Sequence, residues 1–121
     1  MNVLITGCDG FIGKEVSYFF SHRNDLNIIK ANRKILDVLN TKQVDSFFSK
    51  HKIDFVIHAA IKGGKRNDFE SIKDFHDNCK MYLNLYKNRH KFKLMINFGS
   101  GAEFDRREAI LSAPESLIWD R

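Results

Sequence analysis

Short apolar runs alternate with helical stripes along this chain. Asn2 to Thr6 is a β-branched run that stops at a glycine cluster, as expected of a strand buried on both faces. Ile12, Val16, Phe19 and Phe20 then recur at helical spacing, which predicts an amphipathic helix over Phe11 to His22. Asn27 to Asn32, with Ile28 and Ile29, predicts a weaker second strand, and Leu36 to Asn40 a connection. Asn40 and Gln43 stand three apart before Val44, Phe47 and Phe48, close to the capping-box pattern of a helix start. Asp54 to Ala60 predicts the third strand and Gly63-Gly64 a loop. Phe69, Ile72, His76, Cys79, Leu83 and Tyr86 follow one face of a long helix, and Leu94 to Phe98 is a fourth apolar run that ends at Gly99-Ser100-Gly101.

The resulting order, β-α-β-α-β-α-β, implies an α/β fold: a Rossmann-like parallel sheet of about four strands with right-handed crossovers and flanking helices. Ligands on such sheets bind at the carboxyl ends of the strands, where strand order reverses. That places Gly7 to Gly13, Asn32 to Asp37, His58 to Ile61 and Phe98 to Gly101 on one rim. The first of these is Gly7-Cys8-Asp9-Gly10-Phe11-Ile12-Gly13, with a glycine at every third position. Gly7 permits a tight turn off the strand, Gly10 lets backbone approach a pyrophosphate, and Gly13 allows close packing of the helix. Free amides and the helix dipole there favour a phosphate, and strand, loop and helix stand in the required sequence for a dinucleotide site.

Composition narrows the setting. A chain of 121 residues suits one domain and is too short for a complete dinucleotide enzyme with its own substrate domain. Apolar stretches such as Phe55 to Ile61 are too short to cross a bilayer, and no signal segment opens the chain. Cys8 and Cys79 have neither metal-ligand spacing nor the density of a disulfide framework, so the expected compartment is a reducing cytoplasm. Twenty Lys and Arg against fifteen Asp and Glu give a formal charge of +5. The excess gathers at Lys62 to Arg66 and at Lys87 to Lys93, which we read as a solvated loop and helix end, with nucleic acid as the competing partner. Cys8, at a helix N-terminus where a thiolate is favoured, is read as a small buried filler, His76 as a partly buried histidine, and the Phe residues as core packing. His58, with no second ligand at metal spacing, is read as a positioning residue.

In this setting Gly7-x-x-Gly10-Phe11-Ile12-Gly13 after an N-terminal strand resembles the extended short-chain dehydrogenase/reductase family of NAD(P)-dependent nucleotide-sugar epimerases, dehydratases and reductases. Leu36-Asp37-Val38 is similar to the family segment whose carboxylate contacts the adenine, and His58-Ala59-Ala60 resembles the signature beside the cofactor ribose and phosphates. Asn78 and Asn84-Leu85 match the family's asparagine-bearing long helix. Phe98 to Phe104 resembles the segment carrying the active-site Ser or Thr, with Ser100 in that position and Phe104 where a Tyr is common. The resemblance implies NAD or NADP as cofactor and a nucleotide sugar as substrate of the full enzyme. The second strand ends Ala31-Asn32-Arg33-Lys34 with no carboxylate before Asp37, so Arg33 either pairs with a 2′-phosphate, favouring NADP, or is solvated with Lys34.

The family's acid/base pair is a Tyr followed four positions on by a Lys, whose charge favours the tyrosinate. Here Tyr18, Tyr82 and Tyr86 are followed at that distance by His22, Tyr86 and His90. The expectation is an N-terminal cofactor-binding portion, incomplete at its C-terminal end and inactive alone. The alternatives are a non-catalytic dinucleotide-binding sensor or assembly module and, behind it, a basic nucleic-acid-binding domain. An open fourth strand is also expected to favour self-association.

Overall fold

The computed structural model describes residues 1–64 and 71–99. The described elements are β1 (Asn2–Thr6), α1 (Phe11–Ser21), β2 (Asn27–Ala31), α2 (Thr41–Lys50), β3 (Phe55–His58), α3 (Ile72–Tyr86), a short 3-10 turn over Arg89–Lys91, and β4 (Leu94–Asn97). The expected Phe69, Lys65 and Arg66, Ser100 and the segment to Phe104 lie outside the described residues.

All pairings are parallel, in the order β2-β1-β3-β4. The chain moves from β1 to one side and then returns to the other, so strand order reverses between β1 and β3. Thr6 pairs with Ala31 and His58, and His58 with Asn97, so the carboxyl ends of all four strands meet on one rim. Among the described residues β4 is an edge strand, as its place in the sequence order suggested.

Two apolar layers hold the helices to the sheet. Leu4 and Val56 face α2 and α3, where Val44, Phe48, Met81 and Leu85 close around them together with Leu36 and Val38 of the β2–α2 connection. Val3, Ile5 and Ile57 point to the opposite face, under Val16 and Phe20 of α1. Asn40 caps α2 by accepting from the Gln43 amide. The Gln43 side chain accepts instead from the Asp37 amide, so half of the expected box is spent on fixing the connection.

Both helices that matter to the site sit differently from the stripes that predicted them. α1 buries Gly13 and Ser17 against the sheet and leaves Phe19 67% exposed, because small residues let its axis approach closely. α3 buries Met81, Asn84 and Leu85, whereas Ile72, His76, Cys79, Leu83 and Tyr86, the expected core face, are exposed. Helix α3 carries two apolar stripes, and hydrogen bonds select the one facing the sheet. Asn84 donates to the Val38 carbonyl (2.8 Å) and accepts from the Thr41 hydroxyl (2.9 Å), and Asn88 donates to Asp45. Not every Phe is core: Phe11, Phe75 and Phe98 are exposed as well.

Candidate functional site

The loop between β1 and α1 is shaped by backbone constraints that exclude side chains. Gly7 has a φ of 69°, and a Cβ there would lie 2.6 Å from the Cα and N of Ala60. Left-handed backbone against a neighbouring strand end leaves glycine as the residue that fits. A Cβ on Gly13 would meet the Gly7 carbonyl oxygen at 2.0 Å. The close packing expected of Gly13 is therefore real, but its partner is the turn itself. Gly10 donates to that same carbonyl (2.9 Å) and then serves as N-cap of α1.

The three helices begin differently. α2 is capped by Asn40, and α3 by a Ser71–Asp74 capping box. α1 has no side-chain cap and no acidic residue in its first turn. The amides of Phe11, Ile12 and Gly13 have no partner among the described residues. Unsatisfied amides at the positive end of a helix dipole form a site for an anion, and here they open directly onto the rim. A phosphate group fits this cradle by charge, and the glycines let the turn close tightly beneath it.

The β2 end supplies the next segment. Asn32 accepts from the amides of Lys34 and Ile35, bending the chain outward. Asp37 accepts from the Leu39 amide (3.1 Å), and Val38 is buried beneath with its carbonyl held by Asn84. Arg33 projects into solvent, 75% exposed, with Asp37 as a long ion-pair partner at 3.8 Å. Its guanidinium is thus available to a ligand at the rim.

At the end of β3, His58 is 5% exposed and its Nδ1 lies 2.7 Å from the Thr6 hydroxyl. Burial pushes the imidazole down to about 4, so it is neutral at physiological pH. Ala59 and Ala60 follow, packed on Gly7. His58, Ala59 and Ala60 line a cleft of about 470 Å³ together with Ile12, Asn78 and Asn97. Asn78 spends its amide on the backbone of Lys62, accepting from its N–H (2.8 Å) and donating to its carbonyl (3.0 Å). It thereby fixes the loop after β3 beside the cleft. Asp77, one residue earlier, holds Lys62 and Lys73, and these two cations draw its carboxyl down to about 2.

His58 makes acid stability a readout of this packing. Its folded value lies below the ordinary 6.5, so the unfolded chain binds a proton that the folded chain does not. Stability should be unaffected above pH 6.5, fall as pH drops from there towards 4, and lose up to about 3 kcal/mol in that window. Urea midpoints at pH 7 and 4.5 check this, and His58→Gln should flatten the slope between them. A wild-type midpoint unchanged over that interval contradicts it.

Other expectations shift. Cys8 is half-buried, and burial with Asp9 beside it pushes the thiol up, against thiolate character. In the basic run, Lys87 pairs with Asp45 and Lys93 with Asp54, Lys91 donates to Ser49, and Arg89 stacks over Tyr86. Each Lys and Arg of that run thus has a partner in the chain itself. Among the described residues no cluster of His, Cys, Asp or Glu has the form of a metal site, and no helix is long and apolar enough to cross a membrane. The Thr6–His58 pair and the Asn78 clamp join residues far apart in the chain, and no motif spacing announced them.

Comparison with known proteins gives the site a context. The model of the NAD dependent epimerase/dehydratase family matches residues 3–117. The chain is 29% identical over 110 residues to a GDP-L-colitose synthase of Yersinia pseudotuberculosis, covering 88% of this chain and 35% of that protein. It is 34% identical over 61 residues to a GDP-6-deoxy-D-talose 4-dehydrogenase of Aggregatibacter actinomycetemcomitans, covering 50% of this chain and 21% of that one. The fold is similar to a GDP-mannoheptose C4 reductase from Campylobacter jejuni solved with NADP bound, with a TM-score of 0.81 at 23% identity, covering 93% of this chain and 37% of that one. The chain thus spans between about a fifth and a little over a third of the length of these three proteins.

Proposed function

We propose, because this chain belongs to the NAD dependent epimerase/dehydratase family, that it is the cofactor-binding portion of an NAD(P)-dependent nucleotide-sugar epimerase, dehydratase or reductase. The observation that carries the proposal is the uncapped start of α1, held open under Gly7 and Gly13 at the point where strand order reverses. The amides of Phe11, Ile12 and Gly13 hold the pyrophosphate, and Gly10, turned inward onto the Gly7 carbonyl, lets the backbone approach it. Asp37 and the Val38 backbone meet the adenine half, and His58, Ala59 and Ala60 flank the inner ribose. Asn78 acts through the Lys62 backbone that it clamps. Ser100, outside the described residues, orients the substrate oxygen. The nicotinamide, when bound, carries a hydride to or from the sugar. Relatives named as GDP-sugar enzymes support a nucleotide sugar as the substrate class. With no Tyr-x-x-x-Lys pair among its residues, the 121-residue chain binds cofactor without turning over substrate.

Arg33 selects the cofactor. Its exposed guanidinium and the lack of a carboxylate before Asp37 favour a 2′-phosphate over a ribose hydroxyl. NADPH should bind more tightly than NADH, and Arg33→Ala should remove about tenfold or more of that difference, the value of a charge-assisted hydrogen bond. Fluorescence titration of both cofactors against both proteins decides it. Equal or tighter NADH binding by the wild-type chain overturns the preference.

A further inference from the structure

We infer that Thr6 is a positioning residue for His58: its hydroxyl donates to Nδ1, fixing the imidazole as the Nε2–H tautomer and giving the cleft one oriented N–H donor. The inference deepens the proposed function, and only its ligand half rests on that reading.

The assignment follows from counting donors. Thr6 is 1% exposed and its hydroxyl has no other partner among the described residues. A neutral imidazole carries one N–H and one acceptor nitrogen. Were Nδ1 the protonated nitrogen, it would donate to Thr6 and leave the hydroxyl proton buried without an acceptor. Such an orphan is costly in a sheet core. With the hydroxyl donating to Nδ1, both groups are satisfied and the remaining proton sits on Nε2. The pair joins the last residues of β1 and β3, which are register partners, so the ring is anchored on the rigid centre of the sheet.

Nε2 has no hydrogen-bond partner among the described residues. It is nevertheless not sealed, because Ser17 Oγ is the one fully buried side-chain polar atom left unpartnered there. His58 lines the cleft, and Nε2–H therefore meets whatever occupies it. Its partner is an acceptor oxygen, a hydroxyl, carbonyl or phosphate of a bound nucleotide or a water in its place. A ring with Nε2 already protonated donates and does not act as a general base, which separates His58 from the acid/base chemistry of a full enzyme.

The test is ¹⁵N NMR of the imidazole in the 121-residue chain, in wild type and in the Thr6→Val and Thr6→Ser variants. Wild type should show a pyridine-type Nδ1 and a pyrrole-type Nε2. Thr6→Val should give a tautomer mixture and Thr6→Ser should restore the single form. A pyrrole-type Nδ1 in wild type overturns the assignment whether or not either variant folds. An unchanged tautomer in folded Thr6→Val overturns the role of Thr6. Added NADPH should move the Nε2–H resonance, and Thr6→Val should weaken NADPH binding about fivefold, the scale of one neutral hydrogen bond. If NADPH shifts the glycine-loop amides but leaves Nε2–H unmoved, the donor role towards the ligand is wrong. If NADPH does not bind the wild-type chain at all, the proposed function fails, and the free-chain spectra still judge the tautomer.

Discussion

Gly13→Ala should abolish dinucleotide binding and destabilise the fold by about 3 kcal/mol, the upper range for overpacking at a close contact. The added methyl would sit 2.0 Å from the Gly7 carbonyl oxygen and 2.9 Å from the Cys8 Cα, so no rotamer change relieves it. Backbone has to move. The element free to move is the start of α1, since Gly7 is itself pinned against Ala59 and Ala60 on the other side. Tilting α1 away would separate the Phe11, Ile12 and Gly13 amides from the rim and loosen Val16 and Phe20 over Ile5 and Ile57. Binding should therefore fail even at temperatures where the variant remains folded. Gly10→Ala makes the useful contrast. Its Cβ would be 3.3 Å from the same carbonyl, a contact that a shift of a few tenths of an ångström relieves. Thermal melts with cofactor titration of both variants check the pair. A Gly13→Ala protein that binds NADPH like wild type contradicts the cradle.

The second large effect lies under α3. Leu85→Ala should cost about 3 kcal/mol or more, as removal of a fully buried leucine does. Leu85 is completely buried among Leu4, Val44, Val56 and Met81, between the sheet and α2. Leu83→Ala, two residues away on the same helix, should cost less than about 1 kcal/mol, since a leucine that stays largely in water loses little transfer free energy. Leu83 is 59% exposed and lines the cleft. Urea unfolding of the two variants decides which stripe of α3 faces the core. Equal losses, or a larger one at Leu83, would restore the face that periodicity alone suggested.

That contrast shows where the sequence was informative. Strands β1 to β4 and the order of elements were legible, because short β-branched runs bounded by glycine and polar residues have few alternatives. The rim was legible too, because parallel topology places every strand's carboxyl end together. Helix orientation was not. On α3 the exposed Ile72, Phe75, Cys79, Leu83 and Tyr86 make as good an apolar stripe as the buried face. The buried face is the harder one to read because Met81 and Leu85 share it with Asn84, which the Val38 carbonyl satisfies inside, as Asp45 does Asn88 just past the helix. On α1 the sheet-facing positions include Gly13 and Ser17, which a count of large apolar residues overlooks. Within the site, glycine spacing identified the loop, while the assignment of Gly13's partner needed coordinates. Asn78, on the family-like long helix, lines the cleft and also grips the Lys62 backbone, a contact with no local signature.

The central claim is that the glycine loop and the open start of α1 form a dinucleotide site. Amide chemical-shift mapping of the 121-residue chain during an NADPH titration tests it most directly. The account predicts saturable shifts at Gly7, Gly10, Phe11, Ile12 and Gly13, with smaller ones at Arg33, Asp37, His58 and Ala59. A folded chain whose spectrum is unmoved by both NADPH and NADH, or whose shifts gather at Lys87 to Lys93 instead, would contradict it.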